Sequence, residues 1–193
     1  RVLVNAAGPW APQVADCISP GAIRPVMTLV QGSHILLSAP PVKSIYYLEA
    51  PQDNRAVFVM PWQNQTLVGT TETPFTGNDP ASVTPTNQEE SYLQEVITHY
   101  FPNAGSSLIS SFAGLRVLPD GNGKAFGRSR ELLMTKDMRR QPNVLHLYGG
   151  KLTSYRADSE LALRMLKHVL PERKRLADTR TLLPDPVATL DAT

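Results

Sequence analysis

The stretch His146-Leu-Tyr-Gly-Gly-Lys-Leu-Thr-Ser-Tyr-Arg156 decides how the rest of the chain is read. The apolar run Val144–Tyr148 closes on Gly149-Gly150, and residues able to open a helix follow, so the stretch reads as a strand, a sharp turn and a helix start. A helix start presents unpaired N–H groups and a partial positive charge, which suits an anionic or electron-rich ligand. Lys151 stands where a cation is unfavourable for the helix dipole, together with Thr153 and Arg156. Either the Lys151 charge serves a ligand or its stem covers apolar surface.

Outward from that junction, the chain breaks into many short strands. Arg1–Asn5 is a strand ended by Ala6-Ala7-Gly8-Pro9, with one or two helical turns between Trp10 and Cys17. Val26–Leu37 reads as a strand interrupted at Gln31-Gly32. Ile45–Leu48, Ala56–Met60 and Thr66–Val68 are strands separated by turns at Asp53-Asn54 and Gln63-Asn64, so antiparallel hairpins are expected. Gly69 to Pro85 has no apolar period and reads as a loop. Thr86-Asn-Gln-Glu89 has capping-box spacing, and Leu93, Val96, Ile97 and Tyr100 follow at helical spacing. Leu108–Leu118 is one strand or two, Pro119 to Gly123 a turn, and Leu132–Thr135 and Val144–Tyr148 further strands. Ala162, Met165, Leu166 and Val169 form the stripe of a last helix, and the tail from Asp178 is extended. The fold class this pattern predicts is α+β, a mostly antiparallel sheet with helices to one side.

Composition narrows the function. A chain of 193 residues, 41% hydrophobic, can bury a real core, and a net charge of only +2 gives no global field for nucleic acid. The local cluster Glu172-Arg173-Lys174-Arg175 reads as a solvated helix end. Cys17 is the single cysteine, and His34, His99, His146 and His168 lack metal-ligand spacing, so no metal site is expected and a reducing, cytoplasmic compartment is the natural reading. No apolar run is long enough to cross a bilayer as a helix. Arg1 stands in mid-strand, which suggests a piece of a longer protein.

Seven segments occur in order: Asn5-Ala-Ala-Gly-Pro-Trp10, Gln31-Gly-Ser-His34, Phe58-Val-Met-Pro-Trp62, Gly69-Thr-Thr-Glu72, Ala113-Gly-Leu-Arg116, Ser129-Arg-Glu131 and Gly149-Gly-Lys-Leu-Thr-Ser-Tyr-Arg156. Together they make the chain resemble the FAD-dependent glycerol-3-phosphate dehydrogenases, within the flavoproteins that include D-amino-acid oxidase. The resemblance implies hydride transfer from C2 of glycerol 3-phosphate to flavin, giving dihydroxyacetone phosphate, with electrons passed on to a quinone. It also implies peripheral contact with the inner face of the cytoplasmic membrane. Residues 1–20 would end a flavin-domain strand, 21–143 would form the substrate-binding sheet, and 144–193 would return to the flavin domain. No Gly-x-Gly-x-x-Gly follows a strand, so the main dinucleotide-binding unit lies outside this sequence.

Arginine suits a phosphate dianion, because its planar fork binds two oxygens at once and stays charged. The resemblance places Arg116 and Arg130 at the substrate, with Arg128 a close rival for the second position. It also lines the substrate site with His34, although a lone His in a strand is most often a satisfied, half-buried side chain. By the same resemblance Lys151 and His34 carry catalysis and both touch the substrate, His34 either accepting the hydroxyl proton as a neutral imidazole or, protonated, helping to hold the phosphate. Ala7, Gly8, Gly149, Gly150, Lys151, Leu152 and Thr153 would lie along the flavin edge. The last residue of Gly69-Thr-Thr-Glu72 departs from the more usual Asp, and this segment reads equally as a turn held by hydroxyl-to-backbone bonds. Trp62 and Phe58 read as core or pocket wall. An amino-acid or 2-hydroxy-acid oxidase on the same scaffold, and a non-catalytic binding domain, remain open alternatives.

Overall fold

The computed structural model describes residues 1–18, 24–38, 42–103, 107–120 and 131–172. Two sheets carry it. The larger has six strands: β2 (Met27–Leu37), β3 (Tyr46–Glu49), β4 (Ala56–Trp62), β5 (Gln65–Gly69), β6 (Thr73–Pro74) and β7 (Leu108–Pro119). Its order is β3-β4-β5-β2-β6, with β7 paired along the other edge of β2, and every pairing is antiparallel. The smaller sheet sets β9 (Val144–Tyr148) between β1 (Leu3–Asn5), which runs parallel to it, and β8 (Leu133–Lys136), which runs antiparallel. Among the described residues three α-helices accompany the sheets: α1 (Ala11–Ile18), α2 (Asn87–Tyr100) and α3 (Tyr155–Leu166).

The hairpins follow from turn chemistry. Gln63 and Asn64 take φ of 46° and 63°, the left-handed pair that a two-residue β-hairpin turn requires, and Asn54 takes 58° after β3. Strand β2 is continuous, so the expected interruption at Gln31-Gly32 is not present; the one register shift against β7 falls between Leu36 and Leu37. Leu108–Pro119 is one strand, and the expected loop from Gly69 to Pro85 contains the short β6. Asp178 onward and the turn expected at Pro119–Gly123 lie wholly or largely outside the described residues.

Side chains alternate across a strand, so register assigns each face of the large sheet. One face carries Ile35, Leu37, Val57, Val59 and Val68, buried against Leu93, Val96 and Ile97 of α2. Each of those three helix side chains contributes roughly 1.5–3 kcal/mol on burial. The helix begins where the sequence says it must: Thr86 accepts from the Glu89 N–H at 3.2 Å while the Glu89 carboxylate accepts from the Thr86 N–H at 3.0 Å. The opposite face is open, and Tyr47, Phe58, Trp62 and Phe112 project from it well exposed. Phe58 and Trp62 are therefore not core: one face of the sheet has a helix to cover it and theirs has none among the described residues.

Candidate active site

On the open face His34 and Arg116 come together. His34 of β2 pairs in register with Gly69 on one side and Phe112 on the other. A Cβ on Gly69 would lie 2.1 Å from the His34 Cδ2, so the imidazole lies across a glycine that must stay bare. Phe112 stacks on the ring at 5.2 Å between centroids and 6° between planes. Arg116 pairs with Val30, but its guanidinium folds back over Gly32, where a Cβ would meet Nη2 at 2.4 Å. Gly32 and His34 are two residues apart on one face, roughly 7 Å. Gly114 is in register with Gly32; a Cβ added there would meet nothing within 4 Å, which leaves a patch of bare floor.

The guanidinium is held by the segment between β5 and β6. Arg116 Nη2 donates to Thr70 Oγ1 at 3.0 Å and to the Thr71 carbonyl at 3.3 Å, and Nη1 lies 3.7 Å from the Glu72 carboxylate. Arg55 reaches the same carboxylate at 3.6 Å, so Glu72, with a side chain 5% exposed, sits between two arginines. Burial lowers the His34 imidazole below its ordinary 6.5, and the nearby Arg116 charge lowers it further. Both effects favour the neutral imidazole, the form able to accept a proton.

The glycine junction lies at the end of β7. Gly149 and Gly150 take φ of 79° and 94°, and a Cβ on Gly149 would press within 3.1 Å of the Val117 carbonyl, one residue beyond Arg116. The turn Gly8–Trp10 packs on β7 as well. Lys151 does not stand inside the first helical turn. It is the extended residue before a 3-10 turn, Leu152–Ser154, that leads into α3, and Leu152 is 89% exposed. Arg156 forms an (i, i+4) ion pair with Glu160 at 3.0 Å. A groove of about 740 Å³, mostly apolar, runs past Val4, Ala6, Leu147, Gly149, Gly150 and Lys151. Arg128 and Arg130 lie outside the described residues.

Several supports have contacts that the sequence does not reveal. Asn5 pins the turn at Ala7-Gly8: its Oδ1 accepts from the Ala7 N–H at 3.2 Å, so its Nδ2 donates to the Ala11 carbonyl at 2.9 Å and to His146 Nδ1 at 3.0 Å. His146, buried on β9, is thereby fixed with Nδ1 as acceptor, and burial lowers its tendency to protonate. Arg55 and Phe112 carry no motif: the ion pair with Glu72 marks the first, and the cross-strand register with His34 the second.

An antiparallel sheet with one open face is thus joined to a small part-parallel sheet that ends in a glycine turn. A family profile described as FAD dependent oxidoreductase matches residues 1–156, and the chain belongs to that family. It is 36% identical over 177 residues to glycerol-3-phosphate dehydrogenase of Pseudomonas aeruginosa, covering 86% of this chain and 33% of that protein. It is 34% identical over 176 residues to the aerobic glycerol-3-phosphate dehydrogenase of Escherichia coli, covering 86% and 34%. D-erythritol 1-phosphate dehydrogenase of Brucella abortus is 30% identical over 176 residues, covering 89% and 35%. Among solved structures, glycerol-3-phosphate dehydrogenase from Bacillus halodurans complexed with FAD superposes with a TM-score of 0.70 at 25% identity, over 87% of this chain and 32% of that one. The chain thus spans about a third of the length of the curated relatives it matches.

Beside the glycine turn there is room for a flat, largely apolar group. Two left-handed glycines bring backbone against Val117, and the apolar groove beside them is open. Of the residues expected along a flavin edge, Gly149, Gly150, Lys151 and Leu152 line this groove, and Ala7, Gly8 and Thr153 are not among its lining residues.

Proposed function

We propose that this chain supplies the substrate face and the flavin-edge turn of an FAD-dependent sn-glycerol-3-phosphate dehydrogenase, which forms dihydroxyacetone phosphate and passes electrons to a quinone. The single observation that carries the reading is the placement of His34 and the Arg116 guanidinium on one open face, over the glycines Gly69 and Gly32. When bound, FAD supplies the two-electron acceptor. Arg116 binds the phosphate through its fork, with Thr70 and Glu72 keeping the guanidinium over Gly32. His34 accepts the C2 hydroxyl proton at its imidazole, and Phe112 and Gly69 hold the ring in place. Lys151 offers a positive charge at the glycine turn, where negative charge develops during oxidation. Arg130 is assigned as the second phosphate ligand by its position in the family pattern. In this reading residues 1–20 and 144–193 serve the flavin side and 21–143 the substrate side, except that β8, which pairs with β9 in the small sheet, goes with the flavin side. Peripheral association with the inner membrane face fits the quinone acceptor, and no helix among the described residues is long and apolar enough to cross a membrane.

The relative that acts on D-erythritol 1-phosphate favours a second reading, a longer polyol phosphate, for which the bare floor at Gly114 leaves space. The test is an assay of the full-length protein with a quinone analogue, comparing glycerol 3-phosphate, D-erythritol 1-phosphate, glycine and a 2-hydroxy acid. The proposal expects turnover of glycerol 3-phosphate above the others. Preference for glycine or the hydroxy acid would replace the phosphate reading with an oxidase on the same scaffold, and no turnover of any would leave a binding domain.

A further inference from the structure

We propose that Glu89 is a positioning residue for substrate binding: through Thr71 it fixes where the Arg116 guanidinium sits. The inference rests on the reading of Arg116 as a phosphate ligand given above.

Glu89 is 4% exposed, although a capping-box glutamate completes its two bonds equally well at a surface. Burying a carboxylate is costly unless its oxygens are satisfied, so a buried one needs partners beyond the cap. Two of its partners lie outside the cap. Gln31 of β2 donates through Nε2 to Oε2 at 2.6 Å, and the Thr71 hydroxyl donates to Oε1 at 2.6 Å.

Thr71 is where the network crosses the sheet. Residues 70–72 lie between the end of β5 and the start of β6 and belong to no strand. What pins them is Thr71: its Oγ1 accepts from the Ser33 N–H at 2.8 Å, its N–H donates to the Ser33 carbonyl at 3.2 Å, and its hydroxyl proton goes to Glu89. On the other side the same three residues give Arg116 the Thr70 hydroxyl, the Thr71 carbonyl and the Glu72 carboxylate. A shift of Thr71 toward or away from α2 therefore moves all three oxygens that hold the guanidinium. Cap and clamp share one carboxylate, so the start of α2 and the position of the phosphate ligand are mechanically joined.

The test separates the cap from the clamp in the full-length, FAD-loaded enzyme. Thr86→Val removes the cap hydroxyl and leaves the Thr71 link. Thr71→Val spares the cap and deletes the hydroxyl; Glu89→Asp shortens the reach to Thr71 and to the Thr86 N–H together, so Thr86→Val serves as its control for the cap. The expected result is a lower Tm with unchanged KM for Thr86→Val. Thr71→Val and Glu89→Asp should raise KM for glycerol 3-phosphate roughly tenfold, because a charge-assisted contact is moved off its best geometry, with kcat nearly unchanged. Glu89→Gln, which keeps length and one acceptor, should return KM most of the way to wild type. Should Thr71→Val fail to fold, Glu89→Asp carries the comparison. Unchanged KM in Glu89→Asp, or a KM that follows Tm equally in all variants, overturns the proposal. Wild-type enzyme that does not oxidise glycerol 3-phosphate, or Arg116→Ala with unchanged KM, removes the underlying reading and this proposal with it.

Discussion

At the scale of single residues, the site is made as much by absent side chains as by present ones. Gly69 and Gly114 both face the open side, yet a methyl group meets different things at each. On Gly69 it would sit 2.1 Å from the His34 ring, and on Gly114 it meets nothing within 4 Å. Gly69→Ala should therefore displace His34 and cost both stability and kcat. Gly114→Ala should leave Tm within about a degree, since β-sheet preference favours Ala slightly over Gly, while raising KM by narrowing the floor. Thermal melts beside steady-state kinetics check the pair, and equal KM values for Gly114→Ala and wild type would place the substrate elsewhere. His34 gives a second check. Its folded pKa lies below 6.5 because of burial first and Arg116 second, so the acid limb of kcat/KM should fall below that pH. Arg116→Gln should move the limb upward by removing a positive neighbour. The linked stability has the matching sign: it is fully present above 6.5 and is lost as pH falls from there through the lowered value. An acid limb that ignores the Arg116 substitution would detach His34 from the site.

Among the elements, α2 shows how far local sequence reaches. Thr86 and Glu89 mark the cap without any knowledge of the fold, because a capping box is a contact between residues three apart. The same spacing says nothing about Gln31 or Thr71, which are 58 and 18 residues away in sequence from Glu89. Hairpin turns are legible for the same reason, and β6 is not, since two residues have no period to detect. Gly32 reads as a break because glycine weakens strands in general; its use is to let Arg116 lie flat, which only pairing with β7 reveals. The cap also has a pH signature. Burial alone raises the Glu89 pKa, but hydrogen bonds from Thr71, Thr86 and Ser33 outweigh it and hold the group below its ordinary 4.5. Its contribution to stability is present above 4.5 and is lost as pH falls from there through the lowered folded value. Acid denaturation followed by circular dichroism should thus show a shallower loss between pH 5 and pH 3 for Glu89→Gln than for wild type, roughly the range over which such a group titrates. Identical slopes would mean the carboxylate has the same pKa folded and unfolded.

Across the whole molecule, the two sheets meet at β7, which carries Arg116 on one side and receives the Gly149 turn and the Gly8–Trp10 turn at its end. Motif order along the chain indicates that these segments share a site, while their meeting at one strand is a matter of tertiary structure. The groove beside the junction is apolar, and Val4, Leu152, Tyr155 and Leu163 are exposed around it. If the glycine turn borders the flavin as proposed, it alone offers few donors, so the isolated 193-residue chain is expected not to retain FAD. Absorbance of the purified chain checks this, and a stoichiometric flavin spectrum would contradict it. The central claim is that Arg116 recognises phosphate, and it is tested most directly by comparing glycerol 3-phosphate with glycerol in full-length wild type and Arg116→Ala. Loss of a charge-assisted phosphate contact costs about 2–5 kcal/mol, so kcat/KM for glycerol 3-phosphate should drop by roughly 30-fold or more while the slow reaction with glycerol barely changes. A fall by the same factor for both substrates would contradict the account, because it would make Arg116 a structural residue of the sheet.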